Sequence, residues 1–225
     1  MKRRYFEAYD DRYRQVHKEN LQWFADTPSP IVREVISTYD LKGRILELGC
    51  GEGRDAAYLL EHGFDILATD ISEEAIRFCR IKWPEYASHF QILDCICGKV
   101  EEEFYFIYAI AVVHMLVRQE DRDAFYCFIR EHLKKEGYAL ICSMGDGKLE
   151  RCSDISTAFD LQERLHEESG KRLFLAGTSC RCVSSDTFAL ELQKNGLIIV
   201  EQGITNVDPD YGKMVYAVVK RADHF

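Results

Sequence analysis

From Gly43 to Gly137 short apolar runs alternate with segments of helical spacing. Ile45–Leu48 (ILEL), Asp65–Thr69, His89–Asp94, Phe104–Val113 and Tyr138–Met144 read as strands, being short, apolar and rich in β-branched or aromatic residues. Arg54–His62, Ser72–Trp83 and Arg118–Lys135 carry apolar residues three and four apart and read as helices. Gly63 and Gly137 stand where glycine caps a helix end, and Ser72 with its acidic first turn suits a helix start. Upstream, residues 5–24 read as one helix with Tyr5, Tyr9 and Tyr13 on a common face, and Ser29-Pro30 opens another. Alternating strand and helix predicts right-handed crossovers and a mainly parallel sheet covered on both faces.

The alternation stops after Met144. Residues 145–185 form a long polar stretch, within which Ile155–Ser169 reads as helical. A helix at Asp186–Asn195 follows, and then two apolar strands at Gly196–Ile204 and Gly212–Lys220. So short a connection predicts a hairpin, which makes the last strand antiparallel. Neither a repeat nor a linker interrupts the pattern, so the 225 residues read as one domain.

Where helix follows strand, three glycines occur at alternate positions: Gly49-Cys50-Gly51-Glu52-Gly53. Glycine gives up more backbone freedom on folding than any other residue, so the loop marks a close approach to the main chain. In an open α/β sheet, ligands lie outside the carboxyl ends of the strands. Asp70 ends the second strand, where a carboxylate reaches ribose hydroxyls, and Asp94 ends the third. A pyrophosphate-binding loop reads G-x-G-x-x-G; here the third glycine comes one position early and Arg54 stands in its place. Glu47, two residues before the loop, would repel a pyrophosphate and attract a cationic amino group. A nicotinamide dinucleotide is thereby disfavoured against an unphosphorylated adenosyl amino acid.

Composition narrows the partners. Twenty-nine basic against 38 acidic residues give a net charge of −9, which disfavours nucleic acid. No apolar stretch is long enough to span a bilayer, and no apolar region follows the basic start, so a cytoplasmic location with no membrane partner is expected. The nine cysteines are then expected as thiols. Two Cys-x-Cys pairs, Cys95/Cys97 and Cys180/Cys182, lack the spacing of a zinc site, and no metal is expected.

The stretch E-L-G-C-G-E-G resembles the first motif of class I S-adenosylmethionine-dependent methyltransferases. Asp70 in ILATDIS and Asp94 in QILDC resemble that family's ribose- and adenine-binding acids. Phe104–Leu116 is similar to its fourth motif, although Tyr105 replaces a frequent aspartate. GEGRDAAYL followed by HGFDI is most similar to the small-molecule branch, including thiopurine- and tellurite-type enzymes. The resemblance implies a three-layer α/β Rossmann-like sandwich with a seven-stranded sheet. It also implies S-adenosyl-L-methionine as cofactor, held by Glu47, Gly49, Cys50, Gly51, Gly53, Arg54, Asp70, Ile71, Asp94, Cys95, Ile96 and Ala109.

A small-molecule acceptor would be taken between an N-terminal helical flap (residues 1–40) and a lid formed by residues 145–185. Tyr9, Tyr13 and Arg181 are the candidate acceptor contacts. His114 either takes the acceptor's proton, its ordinary pKa lying near neutrality, or is a satisfied polar residue at a strand end. Cys180 and Cys182 are candidates for a soft metalloid acceptor. The second reading is a non-catalytic binding protein of the same fold, whose pocket would be occluded beside the cofactor.

Overall fold

The computed structural model describes residues 3–166, 168–207 and 211–223. Eleven strands and six α-helices follow one another among them. The first half holds α1 (Ala8–Lys18), α2 (Pro30–Thr38), β1 (Ile45–Leu48), α3 (Arg54–Glu61), β2 (Ile66–Asp70), α4 (Glu73–Lys82), β3 (Phe90–Ile92) and β4 (Phe104–Ile110). Next come α5 (Gln119–His132), β5 (Leu133–Met144), β6 (Arg151–Cys152), β7 (Leu161–Leu165), β8 (Arg172–Ala176) and β9 (Arg181–Cys182). The chain closes with α6 (Ser185–Lys194), β10 (Leu197–Val207) and β11 (Tyr211–Arg221).

Seven strands form one sheet in the order β10-β11-β5-β4-β1-β2-β3. β1 pairs in parallel with β2 and with β4, and β4 in parallel with β5. β11 runs antiparallel to both β5 and β10. The α/β sandwich and its antiparallel final strand are therefore as expected, although part of the connection at residues 206–211 lies outside the described residues. The sheet is covered on both sides. Leu46 and Leu48 of β1 face a core with Phe125, Ile129 and Phe188, while Ile45 faces another with Val35, Leu59 and Ile76. A strand buried on both faces has no polar side, which is why ILEL carries no alternation. Strand order reverses between β1 and β4, and the glycine loop leaves β1 at that point, where α/β folds bind ligands.

Four expectations change. The helix read over residues 5–24 ends at Lys18, with Asn20 in the left-handed region at φ 56°; asparagine tolerates that conformation and ends helices. The helix running toward Gly137 ends at His132, since the chain from Leu133 pairs with β4 and β11. β3 stops at Ile92 and β4 at Ile110, so Asp94 and His114 lie in the loops after their strands. No α-helix forms among the described residues of 155–169: Ile155–Thr157 makes one 3-10 turn, Leu161–Leu165 pairs with Arg172–Ala176 as β7 and β8, and Arg151–Cys152 pairs with Arg181–Cys182 as β6 and β9. Leu173 and Leu175 of β8 pack on Val16 of α1, and this distant contact outweighs local helix propensity.

Candidate active site

The glycine loop is shaped from both sides. Gly49 and Cys50 donate their N–H groups to the Thr69 carbonyl, at 2.7 and 2.8 Å, which docks the loop on the end of β2. Gly51 has φ 53°, and a Cβ there would stand 2.7 Å from the Tyr13 hydroxyl. Gly53, at φ 78°, faces away from the ligand side: its Cβ would meet Cys79, Trp83 and Phe90 within 3.0 Å. Gly53 thus allows the loop to enter α3 against a packed wall and lines neither cavity described below. Ala109 is likewise fully buried in β4, and its successors Ile110, Ala111 and Val112 reach the site instead. These two expected cofactor contacts are corrected.

The remaining cofactor candidates, Glu47, Gly49, Cys50, Gly51, Arg54, Asp70, Ile71, Asp94, Cys95 and Ile96, surround one narrow cavity of about 100 Å³. Asp70 accepts from the Gly51 N–H at 2.9 Å and the Ser72 N–H at 2.8 Å, tying the loop to the start of α4. Burial outweighs these bonds and raises its pKa. Glu47 is 3% exposed, and its Oε2 has no hydrogen-bond partner among the described residues. Burial, followed by the charge of Asp55, pushes its pKa well up. Buried carboxylates that repel one another bind a cation and reject a phosphate. That donor set fits an adenosyl amino acid carrying an ammonium group. Asp94 takes bonds from Arg4, the Ile96 N–H at 2.9 Å and Cys97 at 3.0 Å; despite burial, these hold its carboxyl below the usual range.

Several residues of this site carried no sequence signal. Asp55 accepts from the Ser29 N–H and hydroxyl at 2.6 and 2.7 Å, which anchors the start of α2 to α3. Glu52 holds the irregular segment after α1: it accepts from His17 Nε2 at 2.8 Å and from the N–H groups of Trp23 and Phe24 at 2.7 Å. That segment places Gln22, Phe24 and Ala25 over the cavity. Position within G-x-G-x-G was the only available hint for Glu52.

A second, larger cavity of about 1090 Å³ adjoins the first, and the two share Tyr9, Tyr13, Phe24 and Ala25. Its wall includes Trp23, Arg12, Arg151, Arg164, His114 and Cys180, and its one carboxylate among the described residues is Glu168. Tyr9 donates to the Ser179 carbonyl at 2.8 Å, joining α1 to the segment before β9. Arg181 lines neither cavity. Its guanidinium lies 3.4 Å from Glu191 and donates to the Val117 carbonyl at 3.2 Å, so the expected acceptor contact is corrected. Glu191 also binds Arg122, which is fully buried and donates to the carbonyls of Val113 and Leu116. This network fixes the turn carrying His114. Burial, then the nearby Arg122 and Arg12 cations, lowers the His114 pKa to about 3. The imidazole is neutral at physiological pH and a poor store for a proton, which disfavours the expected base role.

Among the described residues no helix is long and apolar enough to cross a membrane, and no three His, Cys, Asp or Glu side chains cluster to hold a metal ion.

Comparison with known proteins places this geometry. The model of the tellurite resistance protein TehB family matches residues 17–168, about two thirds of the chain. A probable S-adenosyl-L-methionine-dependent methyltransferase TehB of Haemophilus influenzae is 32% identical over 100 residues, covering 44% of this chain and 35% of that protein. The matched part thus spans about a third of the curated relative's length. Among solved structures, the 1,6-didemethyltoxoflavin-N1-methyltransferase of Burkholderia thailandensis superposes with a TM-score of 0.72 at 15% identity, over 99% of this chain and 92% of that one. The CcbJ methyltransferase of Streptomyces caelestis gives 0.68 at 17% identity, over 96% and 98%. At such identities the superpositions show a common fold. The family match goes further: this chain belongs to the tellurite resistance protein TehB family.

Proposed function

We propose that the protein is an S-adenosylmethionine-dependent methyltransferase acting on a small-molecule acceptor. The observation that carries this reading is the acid-lined cavity at the glycine loop, with the unpartnered Glu47 Oε2 inside it and a larger cavity along one wall. The cofactor supplies a sulfonium-activated methyl group, and the protein's residues bind, orient and exclude water. Glu47 takes the ammonium group, Asp70 the ribose hydroxyls, and the turn that Asp94 orders at Cys95 and Ile96 the adenine edge. Gly49, Cys50 and Gly51 present bare backbone, with Ile71 and Arg54 on the flanks. Holding donor and acceptor aligned supplies on the order of 7–11 kcal/mol of barrier lowering.

Residues 1–40 and 145–185 act as flap and lid over the acceptor. The larger cavity is open beside the cofactor site, which favours catalysis over a non-catalytic binding role. Arg151 and Arg164 line it and, among the described residues, neither pairs with a carboxylate. With His114 neutral and Tyr9, Tyr13, Trp23 and Phe24 along the wall, the cavity suits an organic anion whose nucleophile needs no strong base. One solved structure of the same fold, the 1,6-didemethyltoxoflavin-N1-methyltransferase, holds 1,6-didemethyltoxoflavin together with S-adenosylhomocysteine.

Calorimetric titration tests the cofactor. S-adenosylhomocysteine is expected to bind one equivalent and NAD none; binding of NAD alone would overturn the reading. A soft metalloid is a second acceptor reading, favoured by one observation: Cys180 Sγ lies 3.7 Å from Cys182 Sγ and 3.9 Å from Met144 Sδ, at the cavity wall. Loss of metalloid methylation in the Cys180→Ser/Cys182→Ser variant is expected on that reading, and full activity there removes it.

A further inference from the structure

The cofactor cavity is smaller than its proposed occupant requires. Sites for small molecules occupy roughly 300–1,000 Å³, whereas this one measures about 100 Å³. One of its walls, β1, β2 and the glycine loop, belongs to the sheet and cannot yield. The opposite wall is the segment after α1, which contributes Gln22, Phe24 and Ala25 together with Tyr13. For an adenosyl amino acid to enter, that segment has to swing away from the loop.

The hydrogen bonds that tie its backbone to the loop converge on one side chain, beside a cation–π contact of Arg54 with the Phe24 ring at 5.4 Å. Glu52 is 2% exposed. Its Oε1 accepts from Trp23 N–H at 2.7 Å and from His17 Nε2 at 2.8 Å, and its Oε2 from Phe24 N–H at 2.7 Å. More peripheral bonds come from Lys82 to Gln22 Oε1 and from His166 to the Gln22 carbonyl, both at 2.7 Å. We propose that Glu52 is the positioning residue that latches residues 17–25 over the cofactor, with His17 as the removable bolt. This inference rests on the proposed function and adds to it the route by which the cofactor is admitted and retained.

His17 is built for the part. Its Nδ1 faces Glu74 Oε1 of α4 at 2.8 Å, and its ring stacks on Phe78 of the same helix at 4.3 Å. Glu74 is in turn held by Arg77, and Tyr13 stands beside the ring on α1. An imidazole donates from both nitrogens only when protonated. Once neutral, one nitrogen would turn a lone pair toward a carboxylate, and the bridge between Glu52 and Glu74 breaks. Burial opposes the charge, but the bonds to Glu52 and Glu74 outweigh it and raise the pKa. A raised pKa means that the latch is complete below the ordinary value of about 6.5 and is lost as pH rises through the folded value.

The test is the rate of S-adenosylhomocysteine release, followed by tryptophan fluorescence in stopped flow, since Trp23 rides on the segment. For the unaltered protein, release is expected to quicken by about tenfold between roughly pH 6 and pH 8.5, the size of one lost charge-assisted bond. Glu52→Gln and His17→Phe, which keeps the ring stack, are each expected to release rapidly at both pH values, with the pH dependence flattened. Thermal melts establish that the variants are folded. If either folded variant releases the compound at the unaltered rate across this range, the latch is overturned. If the unaltered protein binds none at all, the cofactor reading itself fails, which the same titration distinguishes.

Discussion

Replacing Glu191 by alanine is expected to destabilise the protein by about 3–5 kcal/mol, the cost of leaving a buried charge without its partner. Arg122 is fully buried, and its guanidinium meets Glu191 at 2.9 Å, the carbonyls of Val113 and Leu116, and the Tyr126 hydroxyl. Among the described residues, Glu191 supplies the only formal negative charge paired with it, and it also faces Arg181. Its removal strands two cations and a phenol at the junction of α5, α6 and the turn after β4. A domain is held by only about 5–15 kcal/mol, so this is a large share. Urea unfolding gives the number directly. Glu191→Gln keeps acceptor geometry without the charge and should lose less; a loss below about 1 kcal/mol in the alanine variant would show that the network carries no such role. Because Met115 and Leu116 line the proposed cofactor cavity, the alanine variant should also bind S-adenosylhomocysteine poorly even where it remains folded.

The second large effect is at Asp70. Its carboxylate holds Gly51 N–H and Ser72 N–H before any ligand is considered. Asp70→Ala therefore leaves two buried donors unsatisfied and removes the proposed ribose acceptor at once. Each unsatisfied buried donor costs about 1–3 kcal/mol, and a charge-assisted bond to ligand about the same. Affinity for S-adenosylhomocysteine should fall on the order of 100-fold or more, since each 1.4 kcal/mol is a factor of ten. Calorimetry reads it, with circular dichroism to show that the sheet persists. Asp70→Asn should recover little, because its amide N–H₂ would confront one of the two backbone donors. Near-normal affinity in the alanine variant would mean that the ligand lies elsewhere.

Much of this site is legible because it depends on short-range pattern. ILEL turning into three alternate glycines, then ILAT closing on Asp70, compresses a strand, a loop and a strand tip into 26 residues of chain. Its chemistry follows from local geometry: bare backbone at the loop, carboxylates at the tips. The misplaced residues fail for the complementary reason. Gly53 sits in the right motif, yet its freedom serves packing on Cys79, Trp83 and Phe90. Ala109 misses by one residue, since β4 reaches the cavity only with its last residue, Ile110, and with the loop beyond. His114 keeps the identity of a base, but the two arginines and the burial that lower its pKa come from distant positions. Arg181 looks available in sequence and is taken up by Glu191, ten residues on in α6.

By itself the sequence determined the alternation of strand and helix, the glycine loop and the acids that follow it, because periodicity and turn chemistry are written within a few residues. Only the tertiary structure decided that Leu161–Leu165 pairs as strand instead of coiling as helix, and that His17, Trp23 and Phe24 gather on Glu52. It alone also brought an arginine-lined cavity against the cavity at the glycine loop. Those outcomes depend on which surfaces far apart in the chain bury one another, and no local pattern carries that information.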